Sequence, residues 1–280
     1  MASDPRPHRL PLGLGLLTLV TLTWAGAWHW VLFAALTLHV RVPWWSLSAW
    51  AHGLWFTLAL GGMLVCHELG HLWACRRYGL AVSGPYFLPA PFALVGTMGA
   101  FLRLQGAYGS RAQMIVVGAS GPVAGFAWTA LASVVGLRWS TPIVDPGTNL
   151  VRFGTPHLLS WISRAPHLAL HPLAAGAWLG CLVTMVNLLP FEHFDGGTIL
   201  HGLWPEAARL TSVGMFGVAY LLSAGAAHGH LTWLIVAICA VIVLLSAGLQ
   251  PTPPPERLPR SSYGWAVGAV ICLVLSWTAL

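Results

Sequence analysis

The chain has 280 residues, of which 57% are hydrophobic and 7% charged, against roughly 25% charged in ordinary soluble domains. That balance excludes a water-soluble globular fold and points to a polytopic membrane protein, whose helices must be apolar where they meet lipid. The formal net charge of +6 comes entirely from arginine; the arginines are scattered between apolar runs, which excludes a nucleic-acid surface and fits anchors that flank membrane spans.

A crossing helix needs about 20 apolar residues, and this ruler orders the chain. The first run follows Arg6 and Arg9, lacks a small-residue cleavage site, and reads as a retained span over 11–38 with a candidate break at Gly26. A second span covers 47–76. Segment 79–111 holds too many prolines and glycines for a long helix. Its stretch Val95–Leu104 has a strand tendency, so a small re-entrant or interfacial β-hairpin is expected there. A third span follows at 112–137. The loop 138–168, rich in Pro, Gly, Ser and Thr, shows no evident domain, and a fourth span covers 169–190. Further spans are expected at 210–227, 230–249 and 262–280, the last after a stiff proline linker, Pro251–Pro259.

The fold class is therefore an all-α polytopic membrane protein with about six or seven transmembrane helices and a small β-hairpin. Residues 1–46 form an N-terminal span and flank, 47–204 a core, and 205–280 additional C-terminal spans. With the N-terminus inside, nine arginines fall on the cytoplasmic side and four outside, the asymmetry expected of cytoplasmic loops. The tryptophans fit interfacial belts. The five cysteines, Cys66, Cys75, Cys181, Cys239 and Cys272, lie in apolar runs without C-x-x-C spacing and read as small core residues. The all-arginine cation set is associated with a prokaryotic genome, hence a cytoplasmic membrane.

One stretch contradicts its surroundings: His67-Glu68-Leu69-Gly70-His71, inside the second span. Residues four apart share a helix face, so both imidazoles can address one ion while Glu68 lies beside them. Two neutral imidazoles on zinc, with a glutamate as base toward water, is a hydrolase arrangement. A coincidental match would leave a glutamate at membrane depth, which costs several kcal/mol unless partnered. A catalytic zinc needs a third protein ligand. Asp4, Asp145 and Glu256 lie in the tail, the loop and the linker, and Glu206 lies near an interface. Glu192 and Asp195 remain, just after Asn187-Leu-Leu-Pro190 and beside the turn-permitting Gly196-Gly197.

These residues resemble the site-2 protease family of intramembrane zinc metalloproteases, in the branch without an inserted PDZ domain. Four blocks carry the likeness in the family's order: His67–His71 followed by Arg76-Arg77; Gly96–Arg103; Gly118-Ala-Ser-Gly121-Pro122-Val-Ala-Gly125; and His171-Pro172 through Asn187 to Asp195-Gly196-Gly197. The resemblance implies one zinc per chain on His67, His71 and Asp195, Glu68 as general base, and Asn187 steadying the substrate backbone or the developing oxyanion. It implies a membrane-embedded peptidase that cuts a single-span protein in or near its transmembrane segment, after a first cut by another protease in many family members. The hairpin would then pair with an extended substrate; its bland alternative is an ordinary interfacial loop, and for Asn187 a helix-packing hydrogen bond. Phe194 and Thr198 depart from the family's usual Leu and His. Glu192 and His193 are alternative ligand candidates but read as solvated loop or as support around the ligands, Gly118, Gly121 and Gly125 as close helix contacts, and His171, His201, His228 and His230 as interfacial, His201 with a supporting role as its alternative. A catalytically silent scaffold of the same fold and a metal or proton transporter are the competing classes. All four site residues are present, against the first; the polar residues cluster at one depth, against the second.

Overall fold

The protein is described by a computed structural model covering residues 9–91, 95–143, 154–163, 168–191, 194–206 and 253–279. The expected spans 210–227 and 230–249, and with them Cys239, His228 and His230, lie outside the described residues.

Three helices are long and apolar enough to cross a membrane: α1 (Arg9–Thr37), α2 (Leu47–Arg77) and α3 (Arg111–Arg138). Their buried threonine hydroxyls are satisfied without water. Along α1 the hydroxyls of Thr18 and Thr23 donate to the carbonyls of Leu14 and Leu19, each at 2.8 Å. The hydroxyls of Thr23 and Thr57 lie 3.0 Å apart and bond α1 to α2. Ser46 caps α2, accepting from the Ala49 N–H at 3.2 Å, and Arg76 and Arg77 occupy its last turn, where cations favour the helix dipole.

The break expected at Gly26 does not occur; α1 is continuous. Gly26 instead lets α1 cross α2 at Gly53, because a Cβ there would come within 2.7 Å of Phe56 Cβ and 2.9 Å of Gly53 Cα. Glycine here provides close approach rather than flexibility.

The hairpin is present. Strand β1 (Val82–Pro89) pairs antiparallel with β2 (Thr97–Leu104), from Val82 opposite Leu104 to Pro89 opposite Thr97. Thr97 ties its neck, donating to the Leu88 carbonyl at 2.9 Å and accepting from the Gly99 N–H at 3.0 Å. The hairpin lies against α1. Gly96, at φ +78°, approaches the α1 backbone so closely that a Cβ would stand 2.8 Å from Leu22 Cα. Met98, Phe101 and Arg103 are exposed on β2.

The segment between α3 and the next long helix carries more structure than its composition suggests. It holds β3 (Thr141–Pro142), β4 (Thr155–Pro156), the short α4 (His157–Ile162) and β5 (Leu168–Ala169), with β3 paired to β5. Helix α5 (Pro172–Asn187) has 16 residues, shorter than the span drawn over 169–190. His171 caps it, its Nδ1 accepting from the Leu173 N–H at 3.3 Å. Helix α6 (Asp195–Leu203) follows the turn after Pro190. The last helix, α7 (Arg260–Ser276), stops short of residue 280 because β6 (Thr278–Ala279) pairs back onto β4.

Helix α2 is central, packed on α1, α3 and α5, while α3 also meets α6 and α7. Phe56 and Leu60 fill the α1–α2–α5 core with Leu22 and Leu179. Ile115, Phe126, Leu188, Ile199 and Cys272 fill the other side. Cys75, Cys181 and Cys272 are buried and Cys66 half-buried, all unbridged, as expected of small packing residues. His171 and His201 are buried, 7% and 1% exposed; they belong to the protein interior and not to an interface.

Candidate metal centre

Two distant parts of the chain converge on one point. The Nε2 atoms of His67 and His71 lie 3.0 Å apart. Asp195, at the first position of α6, places Oδ2 3.2 Å from His67 Nε2 and Oδ1 3.3 Å from His71 Nε2. Three ligands around a tetrahedral zinc with bonds of about 2.0–2.1 Å would stand about 3.3 Å from one another. The observed triangle has that size, and its donor set of two imidazoles and one carboxylate suits zinc. Among the described residues this is the one group of three His, Cys, Asp or Glu side chains placed to share an ion.

The tautomer of His71 is fixed from outside α2. Its Nδ1–H donates to the Val117 carbonyl of α3 at 2.8 Å, which turns Nε2 toward His67 and Asp195. A ligating histidine held through its second nitrogen keeps its ring in register with the metal. Burial raises the Asp195 carboxyl, but His71 and the hydrogen bonds from both histidines pull it further down, and it stays below the usual carboxylate range. Glu68 is 3% exposed, and among the described residues its Oε2 has no hydrogen-bond partner; nor has His67 Nδ1. A buried carboxylate oxygen without a partner is costly, and a bound reactant is what would repay it.

The small residues of α3 form the wall of this site. Gly118, Gly121 and Gly125 lie on one stripe of α3. A Cβ on Gly121 would overlap the His71 imidazole, standing 2.6 Å from Cδ2. One on Gly125 would meet His67 Cβ at 3.1 Å, and one on Gly118 the Asp195 carbonyl oxygen at 3.0 Å. Gly70 of α2 answers from the other side, where a Cβ would press on the Ser120 backbone. The expected helix contacts are therefore real, and they also shape the ligand cradle. Gly196 turns the chain tightly against the Leu188 and Leu189 carbonyls. Gly121→Ala is expected to weaken zinc binding by about 10–100-fold and to destabilise the protein by about 1–3 kcal/mol through overpacking. Gly264→Ala, which meets nothing within 4 Å, should change neither; metal titration and thermal unfolding of the two variants make the comparison.

Asn187 is the last residue of α5 and half-buried. It stands outside the three-residue cluster, and among the described residues its side chain makes no hydrogen bond. Glu192 and His193 lie outside the described residues. Nothing in the residue pattern marks Val117, since every residue offers a carbonyl. Tyr108 was equally silent. Its ring packs beside Ala74, Cys75, Val116 and Val117, and burial, then the charges of Cys75 and Asp195, push its phenol up. Glu256, read as linker, accepts from the Ala112 N–H at 2.8 Å and caps α3.

A family model described as "Peptidase family M50" matches residues 55–226. Among curated relatives, "Probable zinc metalloprotease EGY2, chloroplastic" from Oryza sativa subsp. japonica is 25% identical over 248 residues, covering 81% of this chain and 44% of the relative. The protein of the same description from Arabidopsis thaliana is 29% identical over 192 residues, 64% of this chain and 34% of the relative. "Probable zinc metalloprotease EGY1, chloroplastic" from Arabidopsis thaliana is 33% identical over 164 residues, 54% and 29%. The chain spans less than half the length of these relatives. No solved structure matches it.

Proposed function

Because the chain belongs to peptidase family M50, a family of membrane-embedded zinc metalloproteases, we propose that it is itself an intramembrane zinc metalloprotease. It hydrolyses a peptide bond in or near the transmembrane segment of a single-span protein. The observation that carries this reading is the triangle of His67, His71 and Asp195 with an unpartnered buried Glu68 next in sequence.

A zinc ion on these three residues would acidify water toward a pKa of about 7 and polarise a peptide carbonyl. Glu68 then accepts the proton of the attacking water and passes it to the leaving amide nitrogen. Asn187 offers its side-chain amide to the carbonyl oxygen as negative charge develops there. The β1–β2 hairpin holds the substrate extended, strand against strand, since a helical peptide hides its carbonyls from attack. The outward Met98 and Phe101 suit apolar side chains of such a substrate.

The full membrane architecture in this proposal has six or seven crossings, with residues 47–204 as the catalytic unit and 205–280 as additional spans. The arginine asymmetry supports an N-terminus inside and a site toward the cytoplasmic face of a prokaryotic membrane. The partners are the bilayer and a single-span substrate.

Purified protein mixed with a single-span substrate in detergent or vesicles should cleave it. Chelation should abolish cleavage and zinc should restore it. A protein that binds zinc in the expected ratio yet neither cuts nor traps such substrates would establish the silent scaffold instead.

A further inference from the structure

Arg111, expected as a lipid-boundary anchor, turns inward. Its Nε donates to the Gly202 carbonyl at 2.8 Å, and its Nη2 donates to the Leu203 carbonyl. These are the last carbonyls of α6, which have no donor within their own helix. A guanidinium is a planar fork that can hold two acceptors at once, and its charge is favourable at a helix C-terminus.

We infer that Arg111 is a positioning residue: by gripping the C-terminal end of α6, it sets the height and rotation at which Asp195, at the opposite end, meets His67 and His71. The inference rests on the metal-binding reading above.

Helix α6 has nine residues. Sideways it lies on the first turns of α3, where Gly202 faces Ile115 and Gly118 faces the Asp195 carbonyl and Ile199. Ile115 seated at Gly202 and Ile199 seated at Gly118 fix how closely the two helices approach and resist coarse sliding. A slip of one residue would move Asp195 by about 1.5 Å and turn it by about 100°, whereas a metal–ligand distance tolerates about 0.2 Å. Packing alone does not hold a position to that tolerance, and directional bonds sharpen it. Gly196, seated on the Leu188 and Leu189 carbonyls, constrains the N-terminal end; the Arg111 fork constrains the other.

Helix α3 thereby serves as a common gauge. It supplies no metal ligand, yet its Val117 carbonyl orients His71 and its Arg111 side chain locates Asp195. Its own start is fixed by Ser110, which accepts from Gln113 N–H at 3.2 Å, and by the Glu256 carboxylate on Ala112 N–H.

The test uses the full chain, purified and stripped of metal. Zinc affinity is measured against a chromophoric chelator, and the visible spectrum of the cobalt(II) form reports ligand geometry. Arg111→Met keeps the aliphatic stem and loses the donors. It should bind zinc about 10–100-fold more weakly and shift the cobalt bands, while the unfolding midpoint of the metal-free protein stays near wild type. Arg111→Lys, able to serve one carbonyl but not both, should recover part of the affinity. Arg41→Met, at an exposed arginine between α1 and α2, should match wild type. Wild-type affinity and an unchanged cobalt spectrum in Arg111→Met would overturn the inference, as would an affinity loss that only tracks lost stability of the metal-free protein. Should the Met variant fail to fold, Arg111→Lys decides: weaker zinc binding at an unchanged midpoint supports the role, and wild-type affinity refutes it. A wild-type protein that binds no zinc would instead refute the metal reading itself.

Discussion

Glu68→Gln should give a protein that folds, binds zinc and does not cut, with cleavage reduced by about 10²–10⁴-fold, the usual worth of a positioned general base. Glu68 is buried with one oxygen unpartnered, so its charge contributes nothing evident to stability. An ionised group kept inside for structural reasons is normally paired, since burying it alone is costly. Gln keeps the shape and removes the proton acceptor. The unfolding midpoint should therefore hold or rise while the rate collapses, and the two quantities moving apart is the signature of a chemical role. Cleavage rate, bound zinc and thermal unfolding of the variant beside wild type make the measurement. Cutting at the wild-type rate would remove Glu68 from the mechanism.

Asp195→Ala attacks the other half of the site. It removes one corner of the triangle and leaves two imidazoles 3.0 Å apart, an arrangement with no charge to balance a divalent ion. Altering a group that merely supports a ligand costs about 10–100-fold in metal affinity, so loss of the ligand itself should exceed about 100-fold and leave the purified protein substantially free of zinc. Cleavage should fall with it. Glu206→Ala, at an exposed acid past the end of α6, should keep its full complement of metal. Zinc per chain by elemental analysis separates the two, and full occupancy in Asp195→Ala would mean that another residue completes the site.

The histidine pair and Glu68 are legible because a helix converts a spacing of four into a shared face, and because an acid in an apolar run needs a purpose. Asp195 stood out because acids are scarce and a Pro–Gly–Gly turn frames it, although its meeting with the histidines is a tertiary event that no local pattern encodes. The hairpin was half legible. The β2 stretch alternates enough to read as a strand, but β1 is broken by a register shift between Ser83 and Tyr86 that hides its period. Gly26 misled, because a glycine in a helix announces either a bend or a crossing, and only the partner Gly53 decides which. Arg111 misled for a similar reason: composition marks it as a boundary charge, and the carbonyls it serves come from residues 91 and 92 positions later. Helix ends at 172 and 276 were missed where caps and short strand pairs, rather than hydropathy, terminate the helix.

The bond from His71 to the Val117 carbonyl has an evolutionary corollary. A support made from main chain cannot be deleted by changing the side chain that carries it, so a mutational scan or a covariation analysis would pass over position 117 without comment. Selection on that support must surface at neighbours that keep the peptide group where it is, among them the glycine whose missing methyl admits the imidazole and the proline that follows it. The Gly121-Pro122 step invites a reading of helix flexibility, when its place beside the imidazole serves the address of a single oxygen atom.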